Sequence, residues 1–313
     1  MVATLKKIVK ISGRGIHSGM PVNLVVRPSK QCGIYFKRTD IPNSEPVLAM
    51  FNNVGDTKMR NTTIGNPNGV HVQTVEHLMA ALFMAGIDSA MVEIDGPETP
   101  ILDGSAAKFY DAFVNAGVVC GERRKVIVRR PVIAYAREIR RTLGFGTRIK
   151  LWIMEKLSGR KNDGYVKLVP GDNALEISAT LVYPEKIIGR QTYSYVFRDD
   201  DKSVHDFVEN IARARTFGKF SEWEYLKAHG MARGADETNV IALNNSGDGT
   251  LNDTIWPDEF VRHKIIDAIG DMYTSGGVVV GKLESYKGSH ALNNLVLKKL
   301  FSNPANYDII ESK

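Results

Sequence analysis

Residues 73–86, QTVEHLMAALFMAG, are where the period of this chain changes. Val75, Leu78, Met79, Leu82 and Phe83 recur at helical spacing, which predicts a helix with Thr74 as its N-cap and Gly86 as its stop. What precedes it reads as strand and turn. Residues 22–26 (VNLVV), 33–37 (GIYFK) and 47–51 are short, rich in β-formers and separated by Gly, Pro and Asn. A strand over 90–94 follows, then a second helix that Ser105 can cap and that ends near Gly117.

The order then starts again. From Lys125, strands are expected over 125–133, 147–154, 165–169, 174–182 and 192–197, with helices over 203–214 and 221–228. The last part carries a helix over 259–273, a strand over 277–283 and a helix over 290–301. Strands followed by helices, twice over, predict an α+β protein of two similar halves, 1–124 and 125–313. At 313 residues there is enough chain for two cores.

Hydrophobic residues make up 43% and charged residues 24%, the balance of a globular protein. Residues 1–13 alternate apolar and basic side chains without the unbroken apolar core of an export signal, and no stretch approaches the ~20 apolar residues of a membrane span. Cys32 and Cys120 lie far apart, which argues against a disulfide framework or a thiolate metal site and fits a reducing cytoplasm. A metal site would therefore draw on His, Asp and Glu. The net charge is +6, yet residues 123–150 alone hold ten Lys or Arg against the single acid Glu138. The bland reading of that run is a solvated face; the sharper one is peripheral contact with an anionic membrane surface. Nucleic-acid binding is not expected, because the run has no zinc-finger spacing, RNP-type motif or helix-turn-helix pattern.

Four constellations could carry chemistry. On the 259–273 helix, His263 and Asp267 are four apart, so both fall on one face where an imidazole and a carboxylate could share a metal ion; Asp271 continues the stripe. The same spacing also serves a surface hydrogen-bonded pair. Glu76 and His77 are polar residues in an otherwise apolar helix, where they could be satisfied core groups or a base beside a ligand. Residues 287–294 (KGSHALNN) place His290 at a Ser-capped helix start, and residues 213–218 (RARTFG) put Thr216 beside Phe217 where a helix ends.

Taken together, TVEHL (74–78), DGSA (103–106), ARTFG (214–218), FVRHK (260–264) with Asp267 and Asp271, and His290 before Asn293 and Asn294 resemble the motifs of the UDP-3-O-acyl-N-acetylglucosamine deacetylases, in that family's order. GRGIHSG (13–19) resembles the family's opening. The resemblance implies two βα domains packed as a sandwich, with helices between two sheets. It implies a cytoplasmic, monomeric enzyme of lipid A biosynthesis acting on an acylated UDP-sugar, with Zn2+, or alternatively Fe2+, held by His77, His263 and Asp267. By the same resemblance Glu76 is the general base, Thr216 the oxyanion donor, and His290, oriented by Asp271, a cation or acid beside the site. Lys264 and Lys287 are expected at the diphosphate, and Phe217 or residues 187–189 at the acyl chain. The readings outside the family are another metal-dependent amidohydrolase, or a binding protein with a closed structural metal site.

Overall fold

The computed structural model describes residues 3–55, 61–65, 69–142, 144, 163–228 and 232–311. Its strands are β1 (Thr4–Leu5), β2 (Val9–Arg14), β3 (Pro21–Pro28), β4 (Gly33–Arg38), β5 (Val47–Leu48), β6 (Ile64–Gly65), β7 (His71–Val72), β8 (Ser89–Ile94) and β9 (Val118–Val119) in the first part of the chain. The second part contributes β10 (Lys125–Val128), β11 (Val132–Tyr135), β12 (Tyr165–Val169), β13 (Leu175–Val182), β14 (Arg190–Phe197), β15 (Phe217–Lys219), β16 (Ile241–Leu243), β17 (Val278–Tyr286) and β18 (Tyr307–Ile310).

Two seven-stranded sheets repeat one pattern. In the first, β8 pairs antiparallel with β3 and parallel with β4 and β1, while β2 and β5 extend the edges and β9 pairs with β1. In the second, β17 takes the place of β8: it pairs antiparallel with β12 and parallel with β13 and β10, while β11, β14 and β18 extend the sheet. A helix stands before each central strand, Glu76–Met84 and Glu259–Tyr273, and one after it, Ala107–Ala116 and His290–Phe301. The sequence carries no obvious repeat, but the pairing does.

The helices lie between the sheets. All nine residues of Glu76–Met84 are buried, as expected of a helix that is apolar apart from Glu76 and His77 and is covered on every side. One continuous hydrophobic core runs from Leu5 and Val9 through Leu78 and Phe83 to Ile266, Ile269 and Leu300. Where the two inner helices cross, a Cβ on Gly270 would stand 2.0 Å from the Glu76 carbonyl oxygen. A glycine inside a helix costs about 1 kcal/mol relative to alanine; here it lets the backbones meet.

Several local expectations are corrected. Thr74 does not cap the first helix: its φ is +58°, Val75 holds the N-cap position, and the Thr74 hydroxyl turns to Glu98. Gly86 does end that helix, at φ +69°. The expected strand over 125–133 is broken into β10 and β11 around Pro131, which cannot continue a ladder. The strand β2 was not anticipated, although its alternate burial shows in the apolar and basic alternation of residues 9–14. The helix expected over 203–214 runs from Asp201 to Asn210, with Asp200 as its N-cap accepting the Ser203 N–H. The strand expected over 147–154 lies outside the described residues. No helix among those described is long and apolar enough to cross a membrane.

Candidate active site

The Glu76–Met84 helix presents Glu76 and His77 from its first turn, and the Glu259–Tyr273 helix presents His263, Asp267 and Asp271 on one face toward them. All five are buried, as is His290 at the start of its Ser289-capped helix. The ligand atoms of His77, His263 and Asp267 lie within 4.8 Å of one another. Asp267 Oδ1 faces His77 Nε2 at 3.6 Å and His263 Nε2 at 3.5 Å, and it accepts no hydrogen bond. A buried carboxylate oxygen with no donor is costly unless something else neutralises it.

These residues fit a metal ion. A tetrahedron with ~2.1 Å bonds has edges of about 3.4 Å, close to the two N···O separations. His263 Nδ1 lies 3.0 Å from the Ala214 carbonyl oxygen, which can only accept; the proton therefore sits on Nδ1 and the lone pair on Nε2, toward Asp267. Burial pushes the His263 imidazole down to about 3, with Asp267 opposing only in part, so it is neutral as a ligand must be. Burial alone would raise the Asp267 carboxyl, but the Lys264 ammonium and the His290 imidazolium hold it well below the usual range. Lys264 Nζ donates to Asp267 Oδ2 at 2.6 Å, leaving Oδ1 as the open donor atom.

Around this trio stand the remaining acid-base groups. Glu76 Oε2 accepts the Thr62 N–H at 2.9 Å, and its Oε1 faces His290 Nε2 at 3.9 Å. Burial pushes the Glu76 carboxyl up, against the pull of His290 and His77. His290 Nδ1 sits 2.8 Å from Asp271 Oδ2. Burial would lower this imidazole, but Asp271, then Asp267 and Glu76, reverse the effect and push it up to about 10. Asp271 is itself held by the Thr62 hydroxyl at 2.5 Å and the Asn293 amide at 2.8 Å.

A cavity of roughly 500 Å³ opens onto these groups. Its lining includes Glu76, His77, His263, Asp267 and His290, together with Thr216, Phe217 and an apolar group of Trp223, Leu226 and Val240. Thr216 is set by two backbone bonds: its N–H donates to Gly104 O at 2.9 Å and its carbonyl accepts the Ile241 N–H at 2.8 Å. The ring of Phe217 packs edge-on against Phe260.

Matches to known proteins fit this geometry. The model of the UDP-3-O-acyl N-acetylglycosamine deacetylase family matches residues 2–302. The chain belongs to that family. Relatives named UDP-3-O-acyl-N-acetylglucosamine deacetylase include one from Myxococcus xanthus, 39% identical over 99% of this chain and 89% of its own length. Another, from a Nitratiruptor species, is 36% identical over 99% of this chain and 93% of its own length. A third, from Pasteurella multocida, is 34% identical over 98% and 92%.

Not every residue singled out from this deacetylase's sequence stands at the cavity. Lys264 does, paired to Asp267, whereas Lys287 is absent from the lining and its ammonium lies 2.6 Å from Asp163. Ile188 is buried in the main core, and residues 187–189 do not line the cavity. The basic run is not one solvated face. Arg123 is buried against Asp88 and Asp199 beneath Phe83, while Arg124 pairs with Glu311 and Arg129 with Asp308. Residues 143 and 145–150 of the run lie outside the described part. Sequence reasoning missed Thr62, which touches both Glu76 and Asp271, and Trp223 and Leu226 on the apolar wall; nothing in their local pattern distinguishes them from ordinary polar or core positions.

Proposed function

We propose that this deacetylase hydrolyses the 2-acetamide of a UDP-3-O-acyl-N-acetylglucosamine in the cytoplasm, through a Zn2+ ion held by His77, His263 and Asp267. Supporting the metal above all is the buried Asp267 Oδ1, which faces two imidazole nitrogens and has no hydrogen-bond donor. The same donor set also takes Fe2+. When bound, such an ion supplies Lewis acidity, polarising the amide carbonyl and acidifying water. The two halves of the chain, 1–124 and 125–313, are on this reading domains that each supply part of the site.

The chain's own groups then divide the work. Glu76, whose carboxyl is raised by burial, removes a proton from the attacking water. The Thr216 hydroxyl donates to the oxygen that becomes negative as the carbonyl carbon turns tetrahedral. The His290 imidazolium, oriented through Nδ1 by Asp271, gives its proton to the departing nitrogen as the C–N bond breaks, releasing acetate and a free amine. The apolar part of the cavity lining, Phe217 included, takes the 3-O-acyl chain. Lys264, which lines the cavity, is assigned to the diphosphate, and because it also grips Asp267 its loss touches the metal as well; Lys287, assigned to the same diphosphate, would have to leave its pair with Asp163 to reach it.

Acetate release from metal-loaded protein, with the acylated UDP-sugar and with UDP-N-acetylglucosamine side by side, tests this reading. Turnover of the first and not the second is expected. Equal turnover of both would remove the acyl chain from recognition.

A further inference from the structure

Glu98 is a buried acid that the mechanism above does not use. It is 1% exposed, and no Lys or Arg among the described residues pairs with it. Its carboxylate instead gathers neutral donors from two separate parts of the cavity wall. From the loop after β2 come the His17 N–H at 3.0 Å, the Ser18 N–H at 3.0 Å and the Ser18 hydroxyl at 2.9 Å; from the turn before the first helix comes the Thr74 hydroxyl at 2.9 Å. The loop closes so tightly over this acid that a Cβ on Gly15 would fall 2.1 Å from Glu98 Oε2.

Thr74 is the residue whose placement needs explaining. A β-branched residue at φ +58° is strained, a cost of roughly 1–3 kcal/mol that the surroundings must offset. Its surroundings hold it from every side: Glu98 accepts its hydroxyl proton, the Asn61 amide donates to that hydroxyl at 3.0 Å, and the Thr99 hydroxyl donates to its carbonyl. Two residues later the chain delivers Glu76 and then His77. The connection continues through the neighbouring segment, since the Val75 N–H donates to Thr62 O and the Thr62 N–H donates to Glu76 Oε2. His17 and Thr74 both line the cavity.

We propose that Glu98 is a positioning residue, whose carboxylate locks the left-handed turn at Thr74 and so aims Glu76 and His77, while pinning the His17 loop as a wall of the same cavity. The inference rests on the reading of His77 as a ligand and Glu76 as the base. A carboxylate suits this set, because the His17 and Ser18 N–H groups can only donate and both hydroxyls donate to it here. A glutamine would turn an NH2 group toward at least one of them, and the turn would relax toward a conformation threonine prefers.

The test uses Glu98→Gln, Thr74→Val and the double variant, with Thr74→Ser as the conservative control. Three quantities are read: metal per chain, the visible absorption of Co2+-loaded protein without substrate, and kcat and KM for acetate release. Glu98→Gln and Thr74→Val are each expected to retain metal, to shift the cobalt spectrum and to lower kcat about 10–100-fold, the usual size of an outer-sphere effect. The double variant should be little worse than either single one, because both remove the same bond, and Thr74→Ser should behave as the parent. KM should rise further in Glu98→Gln than in Thr74→Val, since only the former frees the His17 loop. A melting temperature that falls in Glu98→Gln with cobalt spectrum and kcat unchanged, or single effects that simply multiply in the double variant, would overturn the proposal. Should Glu98→Gln not fold, Thr74→Val alone decides through the cobalt spectrum. His77→Ala separates the two readings: if it leaves the cobalt spectrum unchanged, the metal site is misread, whatever Glu98 does.

Discussion

At the scale of single residues, the site is two buried acid-base groups with opposed tendencies facing each other at 3.9 Å. Glu76 is pushed up by burial and must be deprotonated to act as a base; His290 is pushed up to about 10 by Asp271, Asp267 and Glu76 against burial, and must be protonated to act as an acid. The expected profile of kcat/KM against pH is therefore a bell, rising as Glu76 ionises and falling as His290 loses its proton, and a bound divalent ion would draw both limbs to lower pH. Asp271→Asn removes the charge that raises His290 most, so the alkaline limb should move to lower pH while the acidic limb stays near its place. An alkaline limb unmoved by Asp271→Asn would mean that some other group sets it. The pair His263 and Asp267 was legible from its spacing, because four residues on a helix always means one face. The partnership of Thr62 with Glu76 and Asp271 was not legible, because it joins positions 14 and 209 apart in sequence through a loop with no pattern of its own.

At the scale of elements, the crossing of the two inner helices sets the distance between Glu76–His77 and His263–Asp267, and Gly270 sets the crossing. Gly270→Ala raises intrinsic helix propensity by about 1 kcal/mol, yet its Cβ would stand 2.0 Å from the Glu76 carbonyl oxygen. We expect a net loss of stability of roughly 1–3 kcal/mol, the range for overpacking a core, together with weaker metal binding. Denaturant unfolding and metal titration of the variant check both; a stabilised variant with unchanged metal affinity would show that the helices have room to spare. The helices 259–273 and 290–301 were read from sequence with their observed limits, since strong apolar periodicity and the Ser289 cap act locally. The first helix begins one residue later than its sequence predicts, at Glu76. Thr74 has the composition of an N-cap but serves Glu98 instead, and that competition is decided by a tertiary contact.

At the scale of the whole molecule, the two sheets share one pairing plan, with β8 and β17 as counterparts and an inner helix before each. The alternation of strands and helices foretold two similar halves, but the plan itself is a matter of which strand lies beside which, and short strands such as β1 and β9 leave no trace in composition. The site is assembled only when the halves pack, since Glu76 and His77 come from one and His263, Asp267, Asp271 and His290 from the other. On this reading the packing builds a metal site with a separate base. Metal content and acetate release, measured on four variants prepared in parallel, test that most directly. Glu76→Gln should keep near-stoichiometric metal and lose roughly 10²–10⁴-fold in turnover, while His77→Ala, His263→Ala and Asp267→Ala lose metal and activity together. A fully active Glu76→Gln protein, or a His263→Ala protein that still holds metal tightly and turns over, would contradict it.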